Sequence, residues 1–241
     1  DTDSIFVKVD ESLTAQCCNK IGNELMTHIN HQWERHIAKH FNLKSYLEIE
    51  FETHYSPFFM PTIRDKKTGS KKRYVGKIVK GDESKIVFKG METVRSDWTE
   101  FAQEFQKELF EALFDSQFEI AQLDEIVKDY TKRLFAGEFD QKLVYKKRLG
   151  RNLNDYEKNI PPHVQAVKKH KAEHPDFEVR RGQIIEYVYA MSGAEIFNGK
   201  NALNYPLYQQ RQLVPISAAI FDALVIDNKK NNLGQLFLPD F

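Results

Sequence analysis

Apolar residues recur at intervals of three or four through 11–41, where Leu13, Cys17, Ile21, Leu25 (or Met26), Ile29, Trp33 and Ile37 share one stripe. That spacing predicts a long amphipathic helix. The period then shortens. Tyr46, Leu47, Ile49 and Phe51 mark a strand over 45–51, running on through His54-Tyr55-Ser56-Pro57, and a first strand is expected at 1–9. Residues 62–70 have the composition of a hairpin tip, and two further strands are expected at 73–79 and 85–88, joined by a turn at 80–83. Beyond Trp98 the pattern becomes helical, with amphipathic helices at 98–114 and 118–135, the second closing at Gly137. Phe101, Phe105, Leu109 and Leu113 form the core stripe of the first of these. A short strand at 143–149, a helix from Pro161-Pro162, a strand at 183–191 and a last helix at 206–225, interrupted near Pro215, complete the reading. The fold class expected is α+β, with a strand-rich part to residue 97 and a helix-rich part from 98.

Composition narrows the class. The 241 residues are 41% hydrophobic and 29% charged, as in a soluble globular chain of one large or two modest domains. Lys plus Arg and Asp plus Glu balance at 35 each, but the charge is segregated. Eight cations and one acid lie within 64–80, five cations and no acid within 141–151, and four Glu with one Lys within 100–111. A nucleic-acid binder can be neutral overall when its cations cluster in this way. The two cysteines, Cys17 and Cys18, are adjacent and offer no disulfide framework, which suits a reducing cytoplasm. No apolar run approaches the roughly 20 residues of a membrane span, and no leader peptide is visible.

The first four residues carry candidate chemistry. In Asp1-Thr2-Asp3-Ser4 the two carboxylates stand one residue apart before the apolar run Ile5-Phe6-Val7, so on a strand they face the same side. Convergent carboxylates bind divalent cations and are used in two-metal phosphoryl transfer. The same short pattern occurs in calcium loops, in sugar-nucleotide enzymes and on ordinary surfaces. No initiator Met precedes it, and a piece of a longer protein is expected.

Further along stand Lys71-Lys72-Arg73-Tyr74, then Gly90-Met91-Glu92-Thr93-Val94-Arg95-Ser96-Asp97-Trp98. They are followed by Tyr145-Lys146-Lys147-Arg148-Leu149, Tyr156 and Ile160-Pro161-Pro162-His163-Val164-Gln165-Ala166. Together with the opening Asp pair, in this order and spacing, the chain resembles the C-terminal part of a family B DNA polymerase over essentially its whole length.

The resemblance implies a partial palm sheet backed by the long helix (1–97) and a mainly helical thumb (98–241) of a DNA-directed DNA polymerase. Asp3 would be a catalytic metal ligand with Asp1 as its less critical neighbour, and the cofactor two Mg²⁺ ions, with a further carboxylate supplied by another motif. Lys71, Lys72, Arg73 and Tyr74 would follow the primer–template minor groove, where a lysine reads pair geometry rather than sequence. Lys146, Lys147, Arg148 and Arg151 would grip duplex phosphates, with Tyr156 and His163 as packing or phosphate partners. Glu92, Arg95 and Asp97 are expected to form an ion-pair network at the joint. The partners implied are primer–template DNA and deoxynucleoside triphosphates, the setting replication and repair synthesis at the bacterial nucleoid. A 3′–5′ exonuclease would lie in a domain outside these residues. Isolated, the piece would bind DNA without polymerising; a non-catalytic DNA-binding and clamp-tethering module is the alternative.

The tail 234–241 resembles a sliding-clamp-docking peptide in Gln235, Leu236 and Leu238, departing from it where Pro239 replaces Phe and the aromatic Phe241 is displaced. His28, His31, His36 and His40 share a helix without a completing ligand and read as a solvated face.

Overall fold

The computed structural model describes residues 4–10, 12–61, 72–80 and 83–230. The chain divides into two compact units, one of 1–59 and 76–87, the other of 60–75 and 88–241. It therefore passes between them at three points, 59/60, 75/76 and 87/88.

The first unit is built on α1 (Ala15–Phe41). The Thr14 hydroxyl caps it by accepting from the Cys17 N–H at 3.3 Å, and Asn42, in the left-handed region at φ 51°, ends it. Only Cys18 on this helix is buried, and Ile21 and Leu25 lie partly open. The alternating segment 45–51 forms no strand. At Ile49 the backbone is satisfied instead by the Asn30 side chain, which donates to the Ile49 carbonyl at 3.0 Å and accepts from the Ile49 N–H at 2.9 Å. An amide side chain thus does what a neighbouring strand would do. Residues 4–10 also lack regular structure. A three-stranded sheet in the order β1-β2-β3 combines β1 (Phe58–Phe59), β2 (Tyr74–Lys80) and β3 (Glu83–Lys89).

The second unit holds the larger core. Thr99 caps α2 (Glu100–Leu113), and Phe101, Phe105 and Leu109 of its stripe are buried while Leu113 is half-buried. They meet α3 (Ile120–Phe135), where Tyr130 lies 5.0 Å from Phe105 and stacks on Phe139 at 5.2 Å. Gly137 closes α3 at φ +79°, a conformation that side chains with a Cβ rarely adopt. A second antiparallel sheet, in the order β4-β5-β6, follows from β4 (Tyr145–Arg148), β5 (Ile184–Ala190) and β6 (Gly193–Ile196). The helix α4 (Pro162–Glu173) covers one of its faces by packing Val164 and Val167 on Leu149 and Ile185.

The last helical stretch is broken, as Pro215 predicts. It consists of α5 (Tyr205–Tyr208), a π-helical turn over residues 209–213 and α6 (Val214–Lys230). Pro215 has no N–H to donate to the preceding turn, and the wider turn absorbs that missing bond. The result, mixed helix and antiparallel sheet, is the α+β class. Among the described residues no helix is long and apolar enough to cross a membrane.

Candidate nucleic-acid interface

The basic strand β4 is the centre of the candidate site. Alternation places Tyr145 and Lys147 on one face and Lys146 and Arg148 on the other. Register with β5 sets Tyr145 opposite Tyr187, Lys146 opposite Glu186, Lys147 opposite Ile185 and Arg148 opposite Ile184. Lys146 pairs with Glu186 at 3.0 Å across the strands, both side chains exposed. Lys147, Arg148 and Arg151 are also exposed, and no carboxylate within ion-pair distance engages them among the described residues. Three cations on one short segment are thus left to solvent or to an anionic partner.

Lys147 lies near enough to Asp97 and His163 to act on both. Asp97 is held below the usual carboxylate range, first by its bond from Arg95 and, more weakly, by Lys147. His163 is buried, and burial, followed by the Lys147 charge, holds its pKa below the ordinary histidine value. It is neutral at physiological pH and packs its ring against Tyr156 and Tyr187. This is a core role and brings no positive charge to a phosphate. Tyr156 is similarly committed, its hydroxyl accepting from the Gly150 and Arg151 N–H groups at 3.1 Å each. Those bonds fix the turn that presents Arg151.

The second basic segment is described from Lys72 onward. Lys72 is exposed in a turn, Arg73 is half-buried and Tyr74 is buried in the core. The Arg73 guanidinium is ion-paired with buried Glu92, whose other oxygen accepts from the Gln106 side chain at 2.7 Å. Gln106 in turn accepts from the Thr93 N–H at 2.9 Å and hydroxyl at 2.8 Å. The expected three-residue network therefore splits in two: Arg95 binds Asp97 in a fork of 2.9 and 2.7 Å, whereas Glu92 engages Arg73 and Gln106. No local sequence signal marks Gln106, since an amide in a helix reads as surface.

Asp1, Asp3, Lys71 and the tail residues Gln235, Leu236, Leu238 and Phe241 lie outside the described residues. Among the described residues no cluster of three His, Cys, Asp or Glu fits a metal ion, the α1 histidines included.

Three comparisons bear on this arrangement. The family model for DNA polymerase family B matches residues 1–229. DNA polymerase II of Escherichia coli (strain K12) is 42% identical over 244 aligned residues, which cover 99% of this chain and 30% of that protein. A DNA polymerase of Thermococcus gorgonarius is 32% identical over 197 residues, 81% of this chain and 22% of that protein. The chain thus spans under a third of the relatives it matches. The family B DNA polymerase structure from Pyrobaculum calidifontis superposes with a TM-score of 0.54 at 22% identity, covering 78% of this chain and 23% of that one, a likeness of fold. With nearly every residue inside the family match, this chain belongs to the family B DNA polymerases.

Proposed function

We propose that the chain supplies the closing part of the palm (1–97) and the thumb (98–241) of a DNA-directed DNA polymerase and that it holds the primer–template duplex. The observation that carries this reading is the row of exposed cations without carboxylate partners, Lys147, Arg148 and Arg151, in a chain of this family. Lys146, paired only at the surface, adds to them at little cost, since an exposed ion pair is weak. Lys71 and Lys72 supply the contact with the minor groove beside Arg73 and Tyr74. The cations bind backbone phosphates by releasing counterions, which makes affinity fall steeply with salt and makes it indifferent to sequence.

Asp3, with Asp1 beside it, would hold magnesium together with a carboxylate from another motif, and the metals would activate the primer 3′-hydroxyl toward a deoxynucleoside triphosphate. On this reading, in which the second metal-binding carboxylate comes from another motif, the 241 residues alone would bind DNA without extending a primer. The tail through Gln235, Leu236, Leu238 and Phe241 would dock on the sliding clamp, and the work would be replication and repair synthesis at the bacterial nucleoid.

Fluorescence anisotropy with a labelled primer–template across a salt series tests the reading. Affinity should fall steeply with salt, and the Lys147→Ala and Arg148→Ala variants should each flatten the slope by about 0.9. A slope near zero, or variants identical to wild type, would remove the duplex from the proposal. Asp3→Asn in a complete polymerase containing this segment should abolish extension; intact extension would reassign the metal ligand.

A further inference from the structure

The ladder between β4 and β5 is interrupted just beyond Arg148. Arg148 stands opposite Ile184, and one residue on, the Leu149 N–H donates to the Gln183 carbonyl at 2.8 Å. The Leu149 carbonyl, however, accepts from the Gly182 N–H, at 2.7 Å, so two residues on one chain segment oppose one on the other. This is the G1 form of β-bulge, whose first residue is a glycine with positive φ, and Gly182 has φ +91°.

The same glycine completes a tight turn. The Gln183 N–H donates to the Arg180 carbonyl at 3.1 Å, which makes Arg180-Arg181-Gly182-Gln183 a four-residue turn. Gly182 is third in it, the place where a type II turn requires positive φ. A Cβ there would meet nothing within 4 Å, so conformation, not room, demands the glycine. The Gln183 side chain adds a further bond by accepting from the Arg180 N–H at 3.2 Å.

The turn and the bulge hold a group of cations. Arg180 and Arg181 are exposed, as are Arg148 and Arg151 on the segment to which the turn is bonded. Leu149, which carries both bulge bonds, lies one residue from Arg148 and two from Arg151, whose N–H is itself fixed by the Tyr156 hydroxyl. Among the described residues no carboxylate ion-pairs with any of these four arginines, and Glu178, exposed just before the turn, pairs with none of them. Like charges gathered on a bonded backbone repel one another, a repulsion that an anion among them relieves. The guanidinium fork matches the geometry of phosphate oxygens.

We propose that the turn 180–183 is a second arm of the duplex-binding surface. In it Arg180 and Arg181 bind backbone phosphates alongside Arg148 and Arg151, and Gly182 is the positioning residue that aims them. The inference rests on the reading of β4 as duplex-binding and adds to it a segment outside the basic run 141–151.

Arg180→Ala, Arg181→Ala and the double variant, made in the 241-residue chain, are titrated against the labelled primer–template in the same salt series. Each single substitution should lower the slope by about 0.9 and the pair by about 1.8, twice the value for one phosphate. Lys128→Ala removes an exposed cation on α3 and should leave the slope at its wild-type value. Gly182→Ala keeps every charge but strains the bulge, so it should weaken binding at low salt and bring the slope toward that of the double variant. Wild-type slopes for both arginine variants, with Lys147→Ala still lowering the slope, overturn the second arm and leave the duplex reading of β4 standing. A Lys128→Ala slope reduced as much as theirs overturns the arm too, because binding would then be diffuse. Gly182→Ala with the affinity and slope of wild type overturns the positioning role. Absence of wild-type binding at low salt overturns the duplex reading and the arm with it.

Discussion

Arg73 is ion-paired with Glu92, a carboxylate buried at 6% exposure, although Arg73 belongs to a basic run that reads as a surface for DNA. Its charge is already neutralised, while Lys72 beside it is exposed. The two neighbours therefore have different effects on substitution. Glu92→Leu should destabilise the chain by about 1–3 kcal/mol, since it leaves Gln106 and Arg73 without their acceptor. Arg73 is itself partly solvated, which holds the loss to that range. Chemical denaturation measures it, and Arg73→Ala should change the salt slope of DNA binding less than Lys147→Ala does. Equal slopes would mean that Arg73 leaves Glu92 when DNA binds.

Gly90 adopts φ +61°, and a Cβ placed there would overlap the Lys72 carbonyl oxygen. Gly90→Ala combines a left-handed backbone with a clash against main chain, and a loss above about 1 kcal/mol is expected. Thermal melting gives the sign directly; a melting point at or above that of wild type would show that the turn at Lys72 can yield.

The phenylalanine stripe of α2 carries the core of the second unit. Phe101 is fully buried against Tyr130 and Phe139, with ring centroids 5.8 and 4.9 Å away. Phe101→Ala should cost about 3–5 kcal/mol through lost transfer free energy and the cavity left behind. Leu113→Ala, at the half-buried end of the same stripe, should cost less, a ranking that urea titration of both variants checks.

Glu195 accepts from Lys169 at 2.6 Å, from the Ser192 hydroxyl and from Asn201 at 2.9 Å. These bonds, the Lys169 one foremost, hold its pKa at about 2, against 4.5 for an ordinary Glu. Because the folded value is depressed, the stabilisation is complete above the unfolded value and is lost as pH falls from about 4.5 toward 2. Lys169→Met should lower stability at neutral pH and reduce its decline across that window. Parallel declines in the two proteins, followed by equilibrium unfolding at several pH values, would assign the acid sensitivity elsewhere.

Much of the fold was legible in the sequence because its signals are local. The period of apolar residues along α1 and α2, the closing Gly137, the Pro161-Pro162 helix start and the break near Pro215 each act within a few residues. Alternation over 45–51 predicts a strand that does not form, because alternation specifies an apolar face but not a hydrogen-bonding neighbour, and here Asn30 meets the backbone of Ile49. The basic strand and the family were equally readable, since clustered cations and ordered motifs require no knowledge of contacts.

What the tertiary structure decided is which polar groups are already engaged. Only packing could reveal that Glu92 belongs to Arg73 and Gln106, that His163 is buried and neutral, or that Tyr156 is bonded to the turn before it. Thr99 and Gln212 are 113 residues apart in the chain, and no local pattern links them. Sequence fixes what a side chain can donate or accept; the fold, by bringing distant partners within about 3 Å, determines which of those capacities remain free for a ligand.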